Sequence, residues 1–427
     1  MEYLKFEQGA YNLHVIKTNK FKSVSIKINF RRKAVKEEVT CRNFLAYLLL
    51  EATKRFPTSR LLDIEVEHLY DMSYNSGTNF MGIYSVMSFQ GTFLNEKYTE
   101  VGMMERSFQF LLDFIFNPLV ENGKFNQEMF DLVYHKMKER IETLPESFDR
   151  YGYYRMLEEL DSESVISYYP DGYLEDLDKI TVENLYEYYE NVLKSDGIDI
   201  FVIGDVNIDQ VKNFFLEQFK VNVLKKPLGS PFLNHKKIRK RARIIKEKAD
   251  VKQAKLYIGC KFDTLTPFER KYVASMYSFI LGGGADSKLF STVREKHSLC
   301  YSISSSASVG VNLLTIRAGI DASAFQKAVR YIRKEIKNMA IGKFTDDDLE
   351  KAKTIYIHSL RSLEDSPGSV LSIYQSHEYF DFDLIEERKR QIQSVTREMI
   401  IELAKKIHVD TIYLLEGGND DGEKTIS

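Results

Sequence analysis

Tryptophan is absent from the 427 residues, and cysteine occurs only as Cys41, Cys260 and Cys300. An odd number of widely spaced thiols argues against a disulfide framework and points to reduced thiols in a cytoplasmic protein. Charge of one sign is also lacking, since 60 Lys and Arg face 62 Asp and Glu. A near-neutral chain has no broad electrostatic hold on nucleic acid or on an acidic membrane. No apolar run approaches the roughly 20 residues needed to span a bilayer. The opening MEYLKFEQ has neither the basic-then-apolar order of a secretory signal nor an arginine-rich amphipathic pattern. Catalytic motifs are missing too. HExxH, HxxEH and GxSxG do not occur. Glu65 with His68, His135 with Glu139, and His297 with Cys300 each offer at most two metal ligands. They read as ordinary surface or core residues, and Cys300 as a buried, inert thiol.

What is present is a duplication. KFNQEMFDLVYHKMKERIETLPES (124–147) aligns without a gap to KFTDDDLEKAKTIYIHSLRSLEDS (343–366), an offset of 219 residues from Lys124 to Lys343. Both open Lys-Phe, continue to an N-cap (Asn126, Thr345) with acidic residues in the first turn, and end Leu-x-x-Ser. A second pair lies at an offset of 215, from Thr181 to Thr396. There, Thr-capped helices lead into the strands IDIFVIGDV and TIYLLEGG. A chain of this length exceeds a single core of ~250–300 residues, so two domains of one plan are expected. We take residues 1–223 as the first and 247–427 as the second. Residues 224–246 form the junction, punctuated by Pro227, Gly229 and Pro231. Its basic run of Lys236, Lys237, Arg239, Lys240, Arg241 and Arg243 reads as a solvated linker in preference to a nucleic-acid patch.

SVSIKINF (23–30) and QAKLYIGCKF (253–262) alternate like half-buried strands, and RNFLAYLLLEATKRF (42–56) has helical spacing. Strict βαβ alternation is rare. The expected class is α+β, with each domain a mostly antiparallel sheet covered by helices. The strongest local signal is LGGGADSKLFSTVREKHSLCYSISSSAS (281–308). Gly282, Gly283 and Gly284 end an apolar helix, where positive φ suits glycine. A second helix and then a strand follow. Residue chemistry alone leaves two readings open. The segment is a site, or it is a glycine turn between packed helices with Arg294 and Tyr301 incidental.

This segment resembles the second-half signature of the pitrilysin/insulinase-type zinc peptidases: a helix, a glycine-rich turn, Ser-x-Leu-Phe, Val-Arg-Glu-Lys, then a tyrosine on the next strand. FTDDDLEKAKTIYIHSLRSLEDSPGS is also similar to that family, and the resemblance covers essentially the whole chain. It implies that each chain is half of a clam-like chamber. It also implies that Arg294 and Tyr301 bind peptide backbone and stabilise a tetrahedral intermediate. The family's first long helix carries His-x-x-Glu-His. Here NFLAYLLLEATKRFP puts Asn43 and Tyr47 at the two histidine positions and Ala46 at the glutamate position. The third ligand falls on Arg140, or on Glu139 in the neighbouring register. The resemblance thus implies a chain with no metal, no cofactor and no catalytic residue of its own. Zinc and base would come from a homologous zinc-bearing chain in a heterodimer, acting on a peptide or unfolded polypeptide. A homodimer is the expected state without that partner. Zinc-lacking chains of Gram-positive bacteria, associated with aminopentanol modification of translation elongation factor P, are similar to this sequence. The alternative is a scaffold or peptide-binding protein that contributes nothing to chemistry.

Overall fold

The computed structural model describes residues 1–221, 223 and 228–417. Of the expected junction, residues 224–227 lie outside the described residues. The chain forms two compact units. The first comprises Met1–Glu142, Tyr169–Pro231 and Glu364–Gln375. The second comprises Thr143–Tyr168, Phe232–Leu363 and the chain from Ser376 onward.

Strands of the first unit are β1 (Glu2–Glu7), β2 (Asn12–Lys17), β3 (Ser23–Lys33), β4 (Ser73–Met81) and β5 (Tyr84–Leu94). A short hairpin of β6 (Val120–Glu121) and β7 (Lys124–Phe125) comes next, then β8 (Gly197–Gly204). The main sheet has the order β1-β2-β8-β3-β5-β4. The second unit holds β9 (Arg243–Ala249), β10 (Ala254–Phe262), β11 (Cys300–Ser308), β12 (Leu313–Ile320) and β13 (Ile407–Gly417). Their order is β11-β12-β10-β13-β9. The two sheets share one five-strand plan. β2-β8-β3-β5-β4 corresponds to β9-β13-β10-β12-β11, and each plan has a single parallel pair, β2 with β8 and β9 with β13. All other ladders are antiparallel. The first sheet adds β1 at its edge. The α+β expectation holds, and the duplication extends to topology.

Six helices shape the candidate sites and cover the sheets: α1 (Val39–Glu51), α2 (Gln127–Glu142), α3 (Phe148–Leu160), α4 (Ala274–Gly282), α5 (Asp346–Leu363) and α6 (Pro367–Phe380). α1 and α4 occupy the same place, between the second and third strands of the shared plan. α2 and α5 are the repeated helices, and their expected caps are present. Asn126 Oδ1 accepts from the Met129 amide at 3.1 Å. Thr345 and Asp348 cap each other reciprocally, with Asp348 N–H donating to Thr345 Oγ1 at 3.1 Å and Thr345 N–H to Asp348 Oδ2 at 2.6 Å. Thr181 and Thr396 also cap their helices through the side-chain oxygen, Thr181 within a full capping box.

The alternation of β3 and β10 does not mean half-burial. β3 is buried without a break from Val24 to Phe30, and β10 at every position but Lys255, polar residues included. One face of β10 (Leu256, Ile258, Cys260) joins the apolar core with Tyr277 and Ile280 of α4. The other face is sealed by α3, which precedes the linker in sequence but belongs to the second unit. Leu160 and Met156 close directly over Gly259, where an added Cβ would stand 2.3 Å from Leu160 Cδ1. In the first unit, residues 364–375 have the corresponding role. Tyr374 packs on Tyr3 of β1, and Gln375 Oε1 accepts from the buried Lys27 ammonium of β3 at 2.8 Å. Since α3 follows α2 and α6 follows α5, both sealing segments come from the same point of the repeat.

Sealing a polar face requires its charges to be paired. Asp199 on β8 is buried between His14 Nε2 at 3.4 Å, Asn12 Nδ2 at 2.9 Å and Arg31 Nη2 at 3.4 Å. Asp410 on β13 is buried between Arg239 and Lys261, whose ammonium lies 3.6 Å away. Arg239 also donates to the carbonyls of Leu160 and Glu159. The basic run is therefore not uniformly solvated, because one of its arginines is pinned to a buried aspartate. Burial opposes the charge on Asp199. The hydrogen bond with His14 and the charge of Arg31 outweigh that penalty and hold its carboxyl down at about 2. A depressed carboxylate adds stability above its unfolded value near 3.8, and that stability is lost as pH falls toward 2. Asp199→Asn is expected to lose on the order of 2 kcal/mol at neutral pH. It should also flatten the acid limb between pH 4 and 2, as measured by urea denaturation across pH.

Candidate functional site

The positions expected to have lost a metal site do converge, within the first unit. Asn43 and Tyr47 lie one turn apart on the same face of α1. Asn43 is 2 % exposed; its Oδ1 accepts from Thr78 Oγ1 on β4 at 3.0 Å, and its Nδ2 donates to the Asp171 carbonyl at 3.4 Å. Arg140 of α2 donates to the Tyr47 hydroxyl, and its guanidinium carbon sits 5.4 Å from the centre of that ring. Its Nε lies 3.1 Å from Asp171 Oδ1. Ala46 is fully buried among apolar side chains. Zinc does not fit this donor set. One amide is committed to two partners, one phenol accepts from a cation, and the carboxylate present is already paired with that cation. Among the described residues no group of three or more His, Cys, Asp or Glu could hold a metal. Elsewhere, Glu65 is taken by a two-point contact with Arg106, at 2.8 and 2.6 Å, and His297 stacks on Tyr331 at 3.9 Å.

In the second unit, α4, the segment after it and residues 302–307 of β11 line an open groove of about 560 Å³. Phe279, Gly282, Gly283, Arg294, Ser302 and Ser305 are among its lining residues. β11 is an edge strand, so one side of its backbone has no partner within the sheet. Arg294 is exposed on the helical turn Phe290–Lys296, with its guanidinium 4.6 Å from the centre of the Phe290 ring. Ser298 then reverses the chain with φ 50°, a left-handed conformation uncommon outside glycine. The Ser298 and Leu299 amides close the turn onto the carbonyls of Arg294 and Val293, each at 2.9 Å. Tyr301 is the extra residue of a β-bulge, because Cys300 pairs with Ile320 and Ser302 with Gly319. A bulge re-aims its side chain, and Tyr301 is 66 % exposed. Burial pushes the neighbouring Cys300 thiol up to about 11, with Arg294 pulling the other way, so this thiol is poorly reactive.

The triple glycine works differently from the positive-φ turn expected. None of the three residues has φ in the left-handed region. Gly282 is needed for close approach, since a Cβ there would meet the Ser305 amide nitrogen at 2.7 Å and its Oγ at 2.8 Å. Ser305 Oγ donates to the Ser278 carbonyl at 2.9 Å and clasps the edge strand to α4. At Gly283 a Cβ would crowd the Phe279 backbone, whereas Gly284 has open space around it. Asp171, Thr78, Ser298 and the bulge at Tyr301 are not legible in the sequence as site features. Asp171 and Thr78 lie far along the chain from α1 and carry no motif, and a bulge leaves no fixed signal in a serine-rich strand. Gly282→Ala should destabilise the protein by about 1–3 kcal/mol, because backbone has to move. Gly284→Ala should fall within about 0.5 kcal/mol of wild type. Thermal denaturation of the two variants separates these outcomes.

A family profile described as the peptidase M16 inactive domain matches residues 179–356. The Bacillus subtilis (strain 168) protein named "Probable inactive metalloprotease YmfF" is 30 % identical over 418 residues, covering 97 % of each chain. The crystal structure of a conserved protein from Enterococcus faecalis V583 superposes with a TM-score of 0.91 at 26 % identity, covering 99 % of this chain and 100 % of that one. A peptidase M16 inactive domain from Pseudomonas fluorescens shares the fold, with a TM-score of 0.80 at 16 % identity over the full length of both chains. With its likeness to a probable inactive metalloprotease running end to end, this chain belongs to the inactive members of the M16 (pitrilysin/insulinase-type) peptidase family.

Proposed function

We propose that this chain is the non-catalytic subunit of a two-chain zinc peptidase. A homologous zinc-bearing chain supplies the metal and the base. This chain supplies Arg294 and Tyr301 and one wall of a peptide chamber. The observation that carries the reading is the contrast between its two candidate sites. At the metal position, the polar groups of Asn43, Tyr47, Arg140 and Asp171 engage one another or their immediate neighbours. Beside the groove, an exposed guanidinium and an exposed phenol accompany an edge strand that has no sheet partner on one side. An extended peptide can add to such an edge through main-chain hydrogen bonds, which read backbone more than side chains. Of Gly282, Gly283 and Gly284, the first lets that edge come close to the helix end, and both donors suit an oxyanion. The substrate class is a peptide or an unfolded polypeptide, the compartment is the cytoplasm, and the chain pairs with itself when the zinc-bearing chain is missing. No helix among the described residues is long and apolar enough to cross a membrane.

The test is co-expression with a zinc-motif homologue from the same genome, followed by turnover of an internally quenched peptide. The pair carrying Arg294→Ala and Tyr301→Phe should assemble and lose roughly 10²–10³-fold in turnover, the magnitude typical of removing an oxyanion donor. If that pair assembles and cuts as fast as wild type, the chain is a scaffold and these two residues are not part of a site.

A further inference from the structure

The first unit holds more at the metal position than a set of lost ligands. Two side chains one turn apart on α1, one side chain from α2 and one from the turn at Asp171 meet there. They are joined by contacts that run Thr78–Asn43–Asp171–Arg140–Tyr47. The turn itself is tightly placed. Gly172 has φ 93°, a Cβ on it would stand 2.9 Å from the Thr40 backbone, and the Tyr173 amide donates to Thr40 Oγ1 at 3.0 Å. Asp171 is 8 % exposed, so its charge needs a fixed counter-ion, and Arg140 is the cation in contact with it. A guanidinium that bridges a carboxylate and a phenol makes the kind of link among three chain segments that a bound cation makes among its ligands.

We propose that Arg140 is a built-in cation. It braces α1, α2 and the Asp171 turn, and it excludes a divalent ion from the point where they meet. Loss of the metal ligands is therefore not the only barrier to metal binding. Replacing Asn43 and Tyr47 with histidine leaves Arg140 in place, with its positive charge beside the new imidazoles and Asp171 still engaged. Replacing Arg140 with glutamate removes the repulsion and puts a carboxylate beside the two imidazoles, a three-ligand set of the kind zinc takes. This inference does not depend on a partner chain or on Arg294 and Tyr301.

Zinc content after equilibrium dialysis, together with the melting temperature with and without zinc, provides the readout. The Asn43→His, Tyr47→His variant should bind zinc no better than wild type. The variant that also carries Arg140→Glu should take up one zinc, with affinity higher by at least roughly 100-fold, and its melting temperature should rise when zinc is added. Zinc binding by the first variant as tight as by the second overturns the proposal. So does a folded second variant that binds no zinc. If either variant fails to fold, as judged by circular dichroism, a second measurement in the otherwise wild-type chain decides. Arg140→Gln and Asp171→Asn should each lower the melting temperature by roughly 2–4 °C, and the double variant should be no worse than the more damaging single change. Strictly additive losses would mean that the two residues do not act as one brace.

Discussion

Each sheet has one face that carries charge and yet is buried, and the rest of the structure follows from that constraint. A sheet apolar on one side and polar on the other would ordinarily leave the polar side to water. Here a helical segment from elsewhere in the chain covers it, so every charge beneath must find a partner inside the protein. Both units solve the problem in the same way. An aspartate on the last strand of the shared plan, Asp199 or Asp410, is met by a cation from the central strand, Arg31 or Lys261. A further polar partner comes from another segment, His14 in one unit and Arg239 in the other. The cost of desolvating these groups makes the arrangement intolerant of loss, since removing one partner strands the other.

On this common frame the two halves have diverged in opposite directions. In the first unit the helix after the central strand turns its polar groups inward on one another, and the result is a self-satisfied node. In the second unit the equivalent helix ends at a glycine that lets an edge strand come close, and the chain beyond it presents polar groups outward. One scaffold thus carries a closed polar node and an open groove. The difference comes from a few side chains and a bulge, with strand order unchanged.

Much of this is legible in the sequence, and the remainder is not, for physical reasons. Duplication shows because the caps and the amphipathic spacing of α2 and α5 are local patterns that survive divergence. Strand and helix positions follow from the same local periodicities. The covering of β3 and β10 on both faces escapes such a reading, because periodicity reports polarity and a paired lysine such as Lys27 is as polar buried as exposed. The exchange of sealing segments leaves no trace in the repeat, since a helix looks the same whichever sheet it lies on. Resemblance implies that Asn43, Tyr47 and Arg140 stand at metal positions. It does not reach their new partner Asp171, because an ion pair over such a separation has no sequence pattern. The glycine run suggests a turn requirement, whereas the determining contact is with Ser305, and only the packed structure contains it.

Residues 364–375 leave the ribosome after most of the polypeptide has been synthesised, yet they close the sheet built from the earliest strands. Until then Lys27 has no Gln375 to receive its hydrogen bond, and that face of the sheet stays wet. The amino-terminal half is therefore an unfinished object during translation, and a gene fragment that stops at the linker encodes a sheet with no lid. In sequence the repeat has two halves, whereas in packing each unit borrows a segment from the other half.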